Sequence, residues 1–257
     1  MKNKFVFCGV LFLIAAARIL SQDAASIVER SRNRIQAETT SSRSQMVITA
    51  RNGTQTERVI DQYTKDDTSG NRRALIIFQS PASVAGTRFL TMENPGREDD
   101  RWIFLPSLGR VRRIAASEGS GSFVGTDFSY DDISSADRNA SLDNHRLLRE
   151  EVYNGVSCYV IESTPKDTSY QYSKMIQFIE KERLLVQKIE LFDRRGDQVK
   201  LLEILEYREV QGRTSAFVTR ITTLAAGTST TINVSQLKYD DPIPERVFTT
   251  AYLETGR

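Results

Sequence analysis

Two β-prone runs, SQMVIT (44–49) and TERVIDQY (56–63), flank the turn Arg51-Asn52-Gly53-Thr54. An Asn-Gly pair between two such runs strongly indicates a β-hairpin, because both residues tolerate the positive φ angles of a tight hairpin turn. This stretch therefore predicts antiparallel strands and sets the expectation for the rest of the chain.

The same alternation of apolar and polar residues continues after the hairpin. Short polar turns separate further predicted strands at 73–79, 87–92, 100–105, 147–153, 157–163, 172–180, 185–192, 198–208, 216–224 and 229–237. The fold class is therefore mainly β, with about eleven strands. Ahead of the strands, apolar residues at helical spacing predict a short amphipathic helix over 24–37.

Several strands carry apolar residues on both faces, for example WIFL (102–105), MIQFI (175–179) and LLEIL (201–205). A sheet with one face in water would alternate more cleanly. Both faces are therefore expected to be buried. They are covered either by the rest of the core or, on the concave side of a curved sheet, by an apolar ligand.

Composition excludes several function classes. The 35 Lys and Arg nearly balance the 33 Asp and Glu, so no nucleic-acid partner is expected. His145 is the only histidine in the sequence, which excludes a His-rich zinc site. No phosphate-binding loop or dinucleotide fingerprint occurs, and we expect neither a metal nor a cofactor.

The N-terminus has the three parts of a secretory signal peptide: Lys2 and Lys4, an apolar run over 5–17, and a small residue, Ser21, at the predicted cleavage site. The apolar run is too short to span a membrane. Cys8 precedes most of that run, so lipidation is not expected. We predict a signal peptide over 1–21 and an exported chain.

The exported chain, 22–257, is expected to form a single domain. Its one cysteine, Cys158, lies in an apolar strand and is predicted to be buried and inert. The polar connection Ser117–Asn144 interrupts the strands and contains scattered aromatic residues. At about 28 residues it is too long for a plain loop, so we expect short helices or a lid there.

Residues 101–114 (RWIFLPSLGRVRRI) followed by 121–132 (GSFVGTDFSYDD) closely resemble the signature of the bacterial outer-membrane lipoprotein-sorting family. That family is related to the LolA and LolB carriers and to the sensor RseB, and its layout agrees with nearly all of 24–257. The resemblance implies an incomplete, strongly curved antiparallel β-barrel with an N-terminal helix and short helices closing the open mouth. Its apolar interior would receive acyl chains or a lipid-modified partner.

The resemblance suggests two sets of site residues. An apolar cavity and lid would be formed by Trp102, Phe104, Phe123, Phe128, Tyr130, Ile176 and Phe178. Trp102 and Phe104 would share one face of a strand, and the aromatic residues of the connection would pack over that face. A polar latch or head-group site would be formed by Arg110, Arg112, Arg113, Asp127, Asp131 and Asp132. Ordinary core packing and a solvated charged surface are the alternatives for these sets.

The function implied by the resemblance is that of a non-enzymatic periplasmic carrier, which moves lipids or lipoproteins between the inner and outer membranes. An inner-membrane transporter of the RND or ABC type and an outer-membrane acceptor would be its partners. In a LolA carrier an arginine on a strand is tied to lid closure, and the sequence alone does not identify its counterpart. The sequence does not indicate an oligomeric state.

Two other functions stay open. A lipid sensor like RseB would use the same cavity. A lipid hydrolase would need a nucleophile and a base, yet the sequence has no G-x-S-x-G elbow, and only Asp143 and His145 stand two residues apart. We expect His145 to be exposed or to cap a helix.

Overall fold

The computed structural model describes residues 24–94, 99–134 and 138–257. The predicted signal peptide and Cys8 lie outside these residues. The chain divides into two compact units. The described part of the smaller unit comprises 24–34 and 138–199, and the remaining described residues form the larger unit.

The described residues form thirteen strands, in agreement with the predicted mainly β fold. In chain order they are β1 (Thr39–Thr49), β2 (Gln55–Asp66), β3 (Arg72–Ser80), β4 (Arg88–Met92), β5 (Asp100–Leu105), β6 (Arg110–Arg113), β7 (Asp143–Tyr153), β8 (Val156–Pro165), β9 (Lys174–Glu180), β10 (Val186–Phe192), β11 (Gln198–Val210), β12 (Arg213–Thr223) and β13 (Thr228–Tyr239). The α-helices are α1 (24–32), α2 (Tyr130–Ser134) and α3 (Thr250–Thr255). Single 3₁₀ turns cover Ala116–Glu118, Ala140–Leu142 and Glu245–Phe248.

In the larger unit the strands lie in the order β6-β5-β4-β3-β2-β1-β13-β12-β11, and the strand pairs are antiparallel. The hairpin predicted from Asn52-Gly53 is confirmed. Thr49 pairs with Gln55 across the turn, and Gly53 has a φ of 84°.

The strands are not closed into a barrel, which agrees with the predicted incomplete barrel. Thirteen strands exceed the predicted number because β6, Arg110–Arg113, does not resemble a strand in sequence. It forms the end of the larger unit's strand order and pairs only with β5, so it needs few apolar residues. The first helix ends at residue 32, earlier than predicted, because residues 33 and 34 form a turn before β1.

Strands β3, β4 and β5 present two different faces. On one face, Leu75, Leu90 and Trp102 pack with α3 and the 3₁₀ turn before it, through Phe248 and Leu253. We call this the helix face. Side chains alternate along each strand, so Ile76, Phe78, Phe89 and Ile103 lie on the opposite face, which we call the segment face.

In the smaller unit the strand order is β10-β9-β8-β7, again antiparallel. Helix α1 covers one face of these strands through Ile27 and Val28, which pack against Ile161 and Ile179. At the end of the helix, the Ser31 hydroxyl donates to the Leu184 carbonyl at 2.7 Å. The apolar stripe of Ile27 and Val28 explains why the sequence of α1 has the pattern of an amphipathic helix.

Candidate functional site

A segment of the larger unit, residues 115–134, lies on the segment face, and we call it the covering segment. Its Phe123 is fully buried, with its ring centroid 5.6 Å from that of Phe78 and 5.1 Å from that of Phe89. The Tyr130 ring lies 5.5 Å from Phe89, and burial raises the pKa of its hydroxyl. These four rings form an aromatic cluster in which edge and tilted contacts are favourable.

A tight turn brings Phe123 onto the sheet. Val124 and Gly125 have φ angles of 51° and 74°, and the Thr126 amide donates to the Phe123 carbonyl at 3.1 Å. Two successive positive φ angles are typical of a type I′ turn, and a β-branched residue such as Val124 is strained there. Phe128, also buried, accepts a hydrogen bond from the Phe123 amide at 2.8 Å.

Asp127 attaches the covering segment to the β12–β13 hairpin. Its buried carboxylate accepts hydrogen bonds from the hydroxyls of Thr223 and Thr230, at 2.7 Å each, and from that of Thr228. The Thr230 hydroxyl also accepts from the Asp127 amide at 3.0 Å. Hydroxyl donors therefore satisfy this carboxylate on both oxygens.

Asp131 forms a second attachment, to β5. Its carboxylate lies 2.6 Å from Arg101 Nη1, and the two side chains are only 8% and 12% exposed. A Cβ at Gly119 would lie 2.2 Å from Asp131 Oδ1, so only glycine leaves room for this pair. Arg101 Nε is buried and has no hydrogen-bond partner among the described residues.

Asp132 forms a third attachment, to β11, through Lys200 Nζ at 2.6 Å. The same carboxylate accepts from the Ser129 amide at 2.8 Å, and the Ser129 hydroxyl accepts from the Asp132 amide at 3.0 Å. This reciprocal pairing resembles a capping box at the start of α2. Asp132 therefore both caps the start of α2 and attaches this helix to β11.

Arg58, on β2, is the fourth attachment. It donates a hydrogen bond to the Val124 carbonyl, and its guanidinium lies 5.8 Å from the Phe78 ring centroid. Burial lowers its pKa, and no carboxylate of the described residues pairs with it. Sequence reasoning missed this residue, as it missed Arg101, Lys200 and the three threonines, because none lies near the covering segment in the chain.

The three arginines of the predicted latch do not pair with its three acids. Arg112 pairs with Glu118 of the covering segment and so joins that segment to β6, Arg113 pairs with Asp100, and Arg110 is exposed. The three acids instead reach β5, β11 and the β12–β13 hairpin.

The predicted placement of Trp102 and Phe104 under the aromatic residues of the lid is also wrong. Both side chains lie on the helix face, where they pack around Phe248 and Leu253. The two residues do share one face, as their spacing predicts. The covering segment occupies the other face, above Phe89 and the neighbouring Ile103.

Ile176 and Phe178 belong to the smaller unit. They pack with Cys158 and Val160 on the strand face opposite α1. Lys188 Nζ lies 4.0 Å from the Phe178 ring centroid, and the Tyr153 ring lies 5.6 Å from it. Cys158 is fully buried, as predicted, and burial raises the pKa of its thiol.

His145 is buried, so of its two expected placements, exposed or capping a helix, the exposed one is wrong. Its ring nitrogens lie 2.8 Å from the Ser163 hydroxyl and 2.8 Å from the Ala140 carbonyl, while Asp143 pairs with Arg138. Ser163 is fully buried, so it cannot serve as a nucleophile for a substrate in this conformation. Beside His145, a polar cleft of about 410 Å³ is lined by α1 residues and Lys166.

No described helix is long and apolar enough to cross a membrane. No three His, Cys, Asp or Glu side chains in the described ranges lie together as a metal site would require.

The open antiparallel strand order of the larger unit, with the covering segment attached across one face of its strands, gives a LolA-like fold. A family model described as "Uncharacterized protein" matches residues 70–255, and the chain belongs to that family. No match was found among curated proteins.

Solved structures confirm the LolA-like resemblance. The chain is 28% identical to a DUF1329 family protein from Desulfovibrio piger, with a TM-score of 0.87 over 91% of this chain and 99% of that one. It is 25% identical to a putative outer membrane lipoprotein-sorting protein domain from Vibrio parahaemolyticus, with a TM-score of 0.86 and the same coverage. A LolA superfamily protein from Nitrosomonas europaea, 19% identical with a TM-score of 0.68 over 92% of this chain and 98% of that one, shares the fold.

Proposed function

We propose that this protein is a periplasmic carrier that binds the acyl chains of a lipid or lipoprotein between the covering segment and the segment face. The observation that carries the proposal is the aromatic cluster of Phe78, Phe89, Phe123 and Tyr130, which forms where polar side chains attach the covering segment to the sheet. The similarity to a putative outer membrane lipoprotein-sorting protein domain over 91% of the chain supports it.

The attachment of the covering segment suits exchange with a ligand. The described part of the segment has one helix of 5 residues and a 3₁₀ turn, so most of it has no regular structure of its own. If it moved, the apolar surface of Phe78 and Phe89 would be exposed at a cost of about 25 cal/mol per Å². An acyl chain that entered between Phe123 and these two rings would recover that free energy and would contact Phe123 as well. Phe128 and Tyr130 would move with the segment.

Polar groups near the cluster suit a head group. Arg58 has only a backbone carbonyl as its hydrogen-bond acceptor among the described residues, and Arg101 Nε has none. A buried donor without an acceptor costs about 1–3 kcal/mol. A phosphate or ester oxygen would satisfy these donors. In this proposal Arg58 ties segment opening to ligand entry.

The rest of the proposal follows from the family resemblance. The chain is exported after cleavage of residues 1–21, and 22–257 acts as one lipid-binding domain. An inner-membrane transporter of the RND or ABC type supplies the ligand, and an outer-membrane acceptor receives it. In this proposal the protein itself breaks no bond in the ligand.

The test is to export the full sequence from a bacterial host, purify the soluble chain and identify co-purifying lipids by mass spectrometry. We expect lipids with intact acyl chains. Binding of a fluorescent diacyl phospholipid is then measured for Phe123→Ala and for Phe248→Ala, a matched change of another fully buried Phe on the helix face. Phe123→Ala should weaken binding about tenfold, or ~1.4 kcal/mol, and Phe248→Ala should not.

Three results would contradict this proposal. The first is that no lipid co-purifies and no fluorescent lipid binds. The second is equal weakening by Phe123→Ala and Phe248→Ala, which would place the ligand elsewhere. The third is accumulation of lysolipid and free fatty acid that His145→Ala abolishes, which would indicate a hydrolase.

A further inference from the structure

Three turns at one end of the larger unit's strands contain no charged residue. They are 81–87 (PASVAGT), 106–109 (PSLG) and 224–227 (LAAG), and we call them the uncharged turns. Turns are normally rich in polar and charged residues, because they lie in water. Three uncharged turns in one place therefore need an explanation other than loop chemistry.

The strand registers place these turns at the same end of the strands. Leu105 pairs with Arg110 across one turn and Thr223 with Thr228 across another. The β1–β2 turn, residues 50–54, lies at this end too, because Thr49 pairs with both Gln55 and Ser229. Two of the turns are in close contact, since a Cβ at Gly86 would lie 3.3 Å from the Pro106 side chain.

Exposed leucines lie in two of the uncharged turns. Leu108 is 53% exposed and Leu224 is 43% exposed. Their neighbours Ser107, Ala225 and Ala226 are small and exposed as well. The β3–β4 and β1–β2 turns lie between these two turns in the strand order, so the two leucines lie near the two ends of one row of turns. Exposed large apolar side chains along one row of uncharged turns are typical of an interaction surface.

The opposite end of the same strands has a different chemistry. Its turns, 67–71 and 240–244, contain Asp67, Asp240 and Asp241. Ion pairs hold this end together, among them Arg73 with Asp67 at 3.5 Å and Arg213 with Asp240 at 2.6 Å. The β11–β12 turn at this end, 211–212, is also uncharged but is followed directly by Arg213, which takes part in one of these pairs. The two ends therefore differ in their ion pairs and acids and not in every turn.

Basic residues flank the uncharged turns. Arg110 follows the turn that holds Leu108 and is exposed. Arg51 lies in the β1–β2 turn, and its side chain carbons approach Gly227 within 3.4 Å of where a Cβ would stand. Neither arginine pairs with an acid among the described residues, and the turns 50–54, 81–87, 106–109 and 224–227 contain no Asp or Glu.

We infer that this end of the larger unit is a membrane-contact surface, which inserts Leu108 and Leu224 among the head groups of an anionic bilayer. The leucines would leave water for the interfacial region, and Arg110 and Arg51 would attract lipid phosphates. A surface with these cations and no acid complements an anionic bilayer. The inference does not depend on the proposed carrier function, because contact with a membrane requires no ligand in the aromatic cluster.

The test is sedimentation of the purified exported chain with vesicles of phosphatidylcholine alone or of phosphatidylcholine mixed with phosphatidylglycerol. Mass spectrometry first establishes that every variant has the same N-terminus. We expect binding to the mixed vesicles that weakens with salt. Leu108→Asp and Leu224→Asp should each lower the partition coefficient about fivefold, and Arg110→Gln should lower it only for the anionic vesicles.

The matched control is Leu205→Asp, because Leu205 is 48% exposed in the same unit but lies within β11, away from the turns. It should bind vesicles like the unchanged protein. The inference is overturned if the unchanged protein binds neither vesicle, or if Leu205→Asp weakens binding as much as the turn variants. A concentration-dependent dimer that Leu108→Asp abolishes, without vesicle binding, would show instead that a second copy covers this surface.

Discussion

The two faces of strands β3 to β5 are covered in different ways. On the helix face, Leu75 and Leu90 meet Phe248 and Leu253 in a wholly apolar contact. On the segment face, the aromatic cluster is surrounded by the polar attachments of Asp127, Asp131, Asp132 and Arg58. Polar contacts also attach the helix face, where Arg88 donates to the Leu253 carbonyl and Arg73 pairs with Glu245. The difference is burial: Glu245 is 61% exposed, whereas the acids of the segment face are buried.

We expect this difference to separate a permanent closure from a reversible one. Apolar burial is non-directional, and each large side chain contributes about 1.5–3 kcal/mol. A polar attachment is directional and is lost in one step when its partner moves or is satisfied by another group. We therefore expect the helix face to govern the free energy of global unfolding and the segment face to govern local opening.

The largest effect is expected on the helix face. Phe248→Ala should lower the free energy of unfolding by about 3–5 kcal/mol, because a fully buried ring leaves a cavity. Phe123→Ala removes an equally buried ring, but the covering segment can detach without unfolding the sheet. Urea denaturation should show the smaller change for Phe123→Ala, while hydrogen exchange in residues 115–134 rises. Equal global losses would remove the distinction between the faces.

The second effect concerns the ion pair of Arg101 and Asp131. Asp131→Ala should destabilise the covering segment by about 3 kcal/mol, because it leaves a buried guanidinium without its carboxylate. Adding Arg101→Met should restore much of the loss, since the unpaired charge is then removed. Hydrogen exchange of the segment measures both. Failure of Arg101→Met to restore protection would show that the pair contributes through packing alone.

A smaller effect is expected at Gly119, whose backbone has a φ of −55° that any residue can adopt. Gly119→Ala should therefore cost about 1–2 kcal/mol only through its collision with the Asp131 carboxylate. In the Asp131→Ala background the same change should be nearly neutral. Additive losses in this double-mutant cycle would contradict the collision.

The smallest effect is a dependence on pH. Burial raises the pKa of Tyr130 above its ordinary value of 10.0, so its contribution to stability is complete below pH 10 and declines as the pH rises further. Tyr130→Phe should reduce the loss of segment protection above pH 10, as judged by limited proteolysis. An identical alkaline profile in both proteins would show that Tyr130 does not couple to the segment.

Much of the fold could be predicted from the sequence because its signals are local. The Asn52-Gly53 turn, the alternation along each strand and the stripe of Ile27 and Val28 on α1 all appear within a few residues. Strand β6 was not predicted, because an edge strand with Arg110 at its start lacks the apolar pattern of the other strands.

The site was predicted only in part because its partners are distant in sequence. The family resemblance identified Phe123 and Asp127 as candidates, but Asp127 meets Thr230, 103 residues away. Alternation shows that Trp102 and Phe104 share a face, without showing which face the covering segment occupies. The covering segment lies on the face that carries the Arg101 side chain, which pairs with Asp131.

The strained turn at Val124 lowers the stability of the attached covering segment. A β-branched residue with a φ of 51° stores about 1–2 kcal/mol, which is released when the turn relaxes. The four attachments offset this stored energy continuously, so the loss of any one brings the segment nearer to the point at which relaxation drives release. Glycine suits the left-handed region, so Val124→Gly would remove this strain. The covering segment should then detach from the segment face more slowly.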